Sequence, residues 1–114
     1  MAGTGAGTGW GTAQLIESDN SGSAFEPRIV IDPNSNALVV WQQDVGVETP
    51  NNIWANRYVA GTGAGTGWGT ARLMETVAGD AYGQGVAIDS NGNAFAFWHQ
   101  DDGTRYDINI AKFE

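Results

Sequence analysis

The chain has 114 residues, 41% hydrophobic and 16% charged, with 13 acidic residues against five Lys and Arg and a formal net charge of −8. That charge argues against a nucleic-acid footprint and an anionic membrane surface, both of which need a basic face. The absence of cysteine excludes disulfides, thiolate catalysis and cysteine metal sites. No apolar run approaches the roughly 18–20 residues of a membrane span, and no basic-then-apolar signal peptide opens the chain.

The first segment, AGTGAGTGWGTA at 2–13, returns letter for letter at 60–71. The match continues: TAQLIES (12–18) faces TARLMET (70–76), and GSAFEPRIVID (22–32) faces GDAYGQGVAID (79–89). PNSNALVVWQQD (33–44) faces SNGNAFAFWHQD (90–101), and NIWANRYV (52–59) faces DINIAKFE (107–114). The offset falls from 58 to 57 to 55, with each deletion in an expected loop. The chain is therefore two copies of one unit, residues 1–59 and 60–114, with a period in the range of propellers and arrays. Met1 stands directly before a repeat unit, as a start placed on a piece of something longer would.

Each unit reads as four short strands, in the first copy TAQLIE, PRIVID, NALVVWQQ and NIWANRYV. No stretch has a helical period over ten residues. The Gly/Thr phrase is expected to link the inner strands of one sheet to the outer strand added to it. A phosphate-cradling role is disfavoured, because neither a helix start nor a Lys follows. PRIVID aligns Ile29 and Ile31 on one face. The turn DPNSNA, like DSNGNA in the second unit, suggests a tight hairpin with positive φ at Asn34, Asn36, Gly92 or Asn93. Its D-x-N-x-N spacing also opens a calcium loop, but the glycine is misplaced and no Glu stands twelfth, so a plain turn is expected and no metal. In NALVVWQQ, Ala37, Val39 and Trp41 share one face, Leu38 and Val40 the other. Ala94, Ala96 and Trp98 lie likewise against Phe95 and Phe97. Both faces are apolar, which predicts a strand covered on both sides.

The pattern apolar-Ile-Asp-x-x-x-Asn-Ala-apolar-apolar-apolar-Trp, seen in IVIDPNSNALVVWQQD and VAIDSNGNAFAFWHQDDGTRYDINI, resembles blades of bacterial β-propellers. It is similar to the sialidase-like and lectin-like tandem-repeat propellers of exported bacterial proteins, without the Ser-x-Asp-x-Gly-x-Thr-Trp signature of sialidase blades. The resemblance implies an all-β propeller with two four-stranded blades here. Propellers have at least about four. The second outer strand, TARLME, can pair with NIWANRYV, which leaves TAQLIE and the closing NIAKF as bare edges that recruit partners. The expectation is a head-to-tail homo-oligomer: a trimer of six blades ahead of a tetramer of eight.

Chemistry is sparse. His99 is the sole histidine and its counterpart is Gln42, which argues against zinc and against a Ser-His-Asp site in both units. Asp44, Asp101 and Asp102 end the third strands, and Glu17 and Glu75 the first. Paired carboxylates could hydrolyse glycosides, but no repeated arginine accompanies them: Arg57 faces Lys112, and Arg28, Arg72 and Arg105 face other residues. Of the tryptophans, Trp41 and Trp98 lie mid-strand and read as core. Trp10 and Trp68 lie at a strand edge, where a sugar could stack. The reading is a non-enzymatic, self-assembling module without cofactor. Its candidate ligand is a glycan held near Trp10, Trp68, His99, Asp101 and Arg105. The alternatives are a purely structural or adhesive array, or an engineered or excised propeller fragment, without ligand and, third, a glycosidase-like enzyme.

Overall fold

The computed structural model describes residues 12–17, 22–44, 51–74 and 79–113. Within them lie eight strands and no helix. They are β1 (Ala24–Ile31), β2 (Ala37–Gln43), β3 (Asn52–Val59), β4 (Gly67–Trp68), β5 (Arg72–Leu73), β6 (Ala81–Ile88), β7 (Ala94–Asp101) and β8 (Tyr106–Phe113). They form two antiparallel sheets. In the first the order is β1-β2-β3-β4, with β5 also on β3; in the second it is β6-β7-β8. The boundary between repeats is therefore not the boundary between sheets. The outer strand of the first sheet is written in the second unit, pairing Trp54 with Leu73 and Tyr58 with Trp68, as the repeat order predicts.

The two units fold alike because the same residues set the same turns. Asp32 Oδ1 accepts the backbone N–H groups of Asn34 (2.8 Å) and Asn36 (3.0 Å), and Asn36 Nδ2 donates to Oδ2 (3.2 Å). Asp89 repeats this with Asn91 and Asn93. These are Asx turns, in which the aspartate caps the hairpin. The positive φ angles fall at Ser35 (68°) and its counterpart Gly92 (84°), not at Asn34, Asn36 or Asn93. The asparagines serve as donors instead, and Asn36 Oδ1 also accepts the Ala60 N–H (2.9 Å). The second pair of positive φ values, Glu26 (54°) and Gly83 (68°), lies in matching bulges where β1 and β6 slip register. A bulge needs one residue outside the β region.

The expectation that each third strand is covered on both faces holds for β2, buried along its whole length. It fails for β7, which alternates buried Ala94, Ala96, Trp98 and Gln100 with exposed Phe95, Phe97 and His99. The reason is the number of sheets: no described element lies over the far side of the second one. Between the sheets, Val40, Ile53 and Ala55 meet Ala81, Ala96 and Trp98, with Met74, Val86 and Ala111 packed against them. On the far side of the first sheet, Val39, Trp41 and Ala71 form a second cluster with Ile16, Trp54 and Trp68. Trp41 and Trp98 are core, as their mid-strand position predicts. Each donates its indole N–H to the glutamine two residues on, Gln43 (2.8 Å) and Gln100 (2.9 Å). This is how a buried indole satisfies its polar edge.

TAQLIE, expected as a strand, is not one at 12–17. Its counterpart holds strand geometry only where it bonds to β3. A strand without a neighbour has no ladder to fix it.

Candidate functional site

The feature that stands out is an imbalance between equivalent positions. Ile53 and Val40 are fully buried, but their counterparts Ile108 and Phe97 are 69% and 44% exposed. Ala55 is 6% exposed and its counterpart Ile110 65%; Leu38 is 6% and Phe95 45%. The register places these four exposed side chains on one face: Phe97 opposite Ile110, Phe95 opposite Lys112, His99 opposite Ile108. The second sheet thus presents to solvent the surface that the first sheet buries against it. Gly85 keeps that surface flat, because a Cβ there would collide with the ring of Phe97 lying across it.

The first sheet carries the complementary half. Ile29 and Ile31 are largely exposed, whereas the counterpart of Ile29, Val86, packs into the core between the sheets. Ile16 lies in the cluster of Val39 and Trp41, as its counterpart Met74 lies in the cluster of Ala96 and Trp98. Asn56 Nδ2 donates to the Ile16 carbonyl (2.9 Å) and pins the segment there. Met74, in addition, donates its N–H to Ile53 O (2.7 Å) and so joins the ladder of β3. For segment 12–17 the matching acceptor is Ile108 O, and β8 carries no strand on its outer edge among the described residues.

The residues that the sequence singles out for ligand binding do not converge. Trp10 lies outside the described residues. Trp68 is half-buried, edge-to-face with Tyr58 (5.4 Å between centroids), and packs on the far side of the first sheet. His99 lies on the open face of the second sheet against Tyr82 (5.7 Å). Asp101 ends β7, and its Oδ1 accepts the Gly103 N–H (2.9 Å). Arg105, in the following turn, donates from Nε to Asp107 (3.1 Å). His99, Asp101 and Arg105 therefore share one end of the second sheet, apart from Trp68. Of the carboxylates, Glu75 lies outside the described residues. Asp44 Oδ1 accepts the Ser23 N–H (3.0 Å), and Asp102 Oδ1 accepts the N–H groups of Thr104 and Arg105.

Local electrostatics follow from these bonds. Burial pushes the Asp32 carboxyl up, but the hydrogen bonds from Asn36 and Asn34 and the charge of Arg57 outweigh it and leave it below the usual value. Asp89 is lowered chiefly by the Asn93 side chain and N–H, and Asp102 by the N–H groups of Arg105 and Thr104. The Tyr106 phenol is pushed up to about 12. Its hydrogen bond with Tyr82 and that neighbour's charge lead, followed by burial and by Asp101 and Asp80. The aspartates are held as turn caps, and their donors are backbone and amide groups.

Sequence reasoning missed two features. The Trp–Gln pairs were legible as a repeated W-x-Q. The cleft between the sheets was not, since it depends on which strands face each other. Comparison with protein-family models, curated proteins and solved structures found no match.

Proposed function

We propose that the chain is a non-enzymatic propeller module that assembles with copies of itself, head to tail, into a closed ring. The observation that carries this reading is the buried-to-exposed reversal at Val40/Phe97, Ile53/Ile108 and Ala55/Ile110. The far face of the second sheet and the near face of the first are the same repeat surface. A first sheet from another copy can cover the one as the second sheet covers the other. Segment 12–17 of that copy then becomes the outer strand on β8. By repeat correspondence with Trp54–Leu73 and Ala55–Arg72, Leu15 pairs with Asn109 and Gln14 with Ile110.

The magnitudes favour closure over a single contact. Covering Phe95, Phe97, Ile108 and Ile110 with Ile29 and Ile31, which are 44–69% exposed, contributes roughly 5–10 kcal/mol, at about 1.5–3 per fully exposed side chain. Association costs about 4–15 kcal/mol. One contact is therefore marginal, and the last contact of a ring forms without a further loss of translational freedom. A trimer of six blades or a tetramer of eight satisfies the geometry of a propeller. A glycan role would rest, among the described residues, on Trp68, whose ring is already committed to Tyr58 and the Val39–Trp41 cluster, and on His99, Asp101 and Arg105, of which Asp101 caps the Gly103 turn and Arg105 bonds to Asp107. Assembly is the better-supported reading.

Light scattering on the size-exclusion peak tests it. The expected mass is three or four times the 12.0 kDa chain. A folded, monodisperse monomer at micromolar concentration would overturn the proposal.

A further inference from the structure

Between the two sheets, beside β4 and β5, lies a cleft of about 700 Å³. Leu38, Ala55, Met74 and Ala96 give it an apolar floor. Two arginines stand over that floor. Arg57 leaves β3 on the same side as Ala55, and Arg72 is the cross-strand partner of Ala55, so both leave the first sheet toward the second. The Arg57 guanidinium lies 4.8 Å from the centre of the Phe113 ring on β8, and thus spans the cleft. Lys112 also lines it, but alternation along β8 sends its side chain to the opposite face from Phe113, so only the arginines are counted.

The distribution of charge is the second observation. The chain has 13 acidic residues and five Lys and Arg, yet no described carboxylate lines this cleft. Neither arginine forms a salt bridge among the described residues, where the single one is Arg105–Asp107, although the charge of Arg57 also acts on the Asp32 carboxyl, which does not line the cleft. Arg57 and Arg72 stand on neighbouring strands at diagonal positions, within reach of long side chains, so one anion can accept charge-assisted hydrogen bonds from both. Size falls in the range of small-molecule sites, which are mostly apolar with a few polar groups that fix orientation. An apolar floor does not match the hydroxyls of a free sugar.

We propose that the cleft between the two sheets binds a small organic anion: a carboxylate carried on an apolar body, its head on Arg57 and Arg72 and its body over Leu38 and Ala96. The counterparts of Arg57, Arg72 and Phe113 are Lys112, Gln14 and Tyr58. A junction between copies would therefore lack the arginine pair, and one ligand binds per chain. The cleft lies within one chain, so the proposal stands or falls separately from the ring.

Calorimetric titration of the full chain with decanoate and with 2-naphthoate, against decanol and glucuronate, tests this. We expect saturable binding of at least one of the two apolar carboxylates, at one per chain. The double variant R57Q/R72Q, checked by circular dichroism and size exclusion for unchanged fold and assembly, should weaken it by about tenfold or more. Preference for decanoate assigns an alkyl body and preference for naphthoate an aryl one; either supports the site. No binding of either carboxylate, equal binding of decanol, glucuronate binding as tight as the apolar acids, or undiminished binding by the double variant would overturn it.

Discussion

Ser35 and Gly92 occupy the same turn position at φ 68° and 84°. For glycine that conformation is free, whereas for serine it carries a strain of roughly 1 kcal/mol. Ser35→Gly removes the strain and returns part of the gain as unfolded-state entropy. The expected net effect is a stabilisation of up to about 0.5 kcal/mol, read as a higher urea midpoint. The neighbouring caps explain why the turn survives with serine. Asp32 supplies its carboxylate to two backbone N–H groups and one amide, so the aspartate sets the turn and Ser35 is merely tolerated in it. D-x-N-x-N was legible in the sequence as a turn, with Gly92 correctly placed at positive φ in the second unit, but in the first the residue bearing it is Ser35, between the two asparagines expected there. Asparagine has both a tolerance of left-handed backbone and an amide that bonds locally. Here the amide contact to the aspartate won.

At the scale of elements, one strand position has opposite meanings in the two repeats. Ile53 on β3 is enclosed between the sheets; Ile108 on β8 faces solvent. Ile53→Ala should cost about 2–5 kcal/mol of stability, as a cavity in a packed core does. Ile108→Ala should cost less than about 0.5 kcal/mol in a chain kept monomeric. Chemical denaturation of both variants in an Ile110→Asp background makes the comparison, and a large loss for Ile108→Ala there would mean that its face is already covered. The same contrast shows why β7 could not be read correctly from its pattern. Phe95 and Phe97 look like core because the sequence writes them for a neighbour. Whether that neighbour is present is a property of the number of sheets. TAQLIE likewise has the residues of a strand, as TARLME does, but a ladder requires two backbones and only the second finds one within the chain.

For the whole molecule, acid should destabilise the fold through the turn caps. Asp32, Asp89 and Asp102 all have folded-state values held below the ordinary one. A lowered carboxylate contributes stability above its unfolded pKa of about 3.9, and that contribution is lost as pH falls through the folded value. The urea midpoint should therefore hold level from pH 7 to about 5 and drop below about 4. Asp32→Asn should flatten part of that drop while lowering the midpoint at neutral pH, since a neutral amide is a weaker acceptor for the Asn34 and Asn36 N–H groups. An unchanged acid profile in Asp32→Asn would assign the transition to the other two caps.

The sequence by itself determined the all-β class, the duplication, the strand order within each unit, the hairpin turns and the loan of the second unit's outer strand to the first sheet. These are local or repeated signals: alternation, turn chemistry and self-similarity act over a few residues and are written in letters. Only the tertiary structure decided which faces are covered. Burial depends on what stands opposite, so Val40 and Phe97 can share a pattern and differ in environment. The same holds for the cleft under Arg57 and Arg72. Those arginines are unrelated along the chain, 15 positions apart, and become a pair because β5 crosses back onto β3 and the second sheet closes over the face they share.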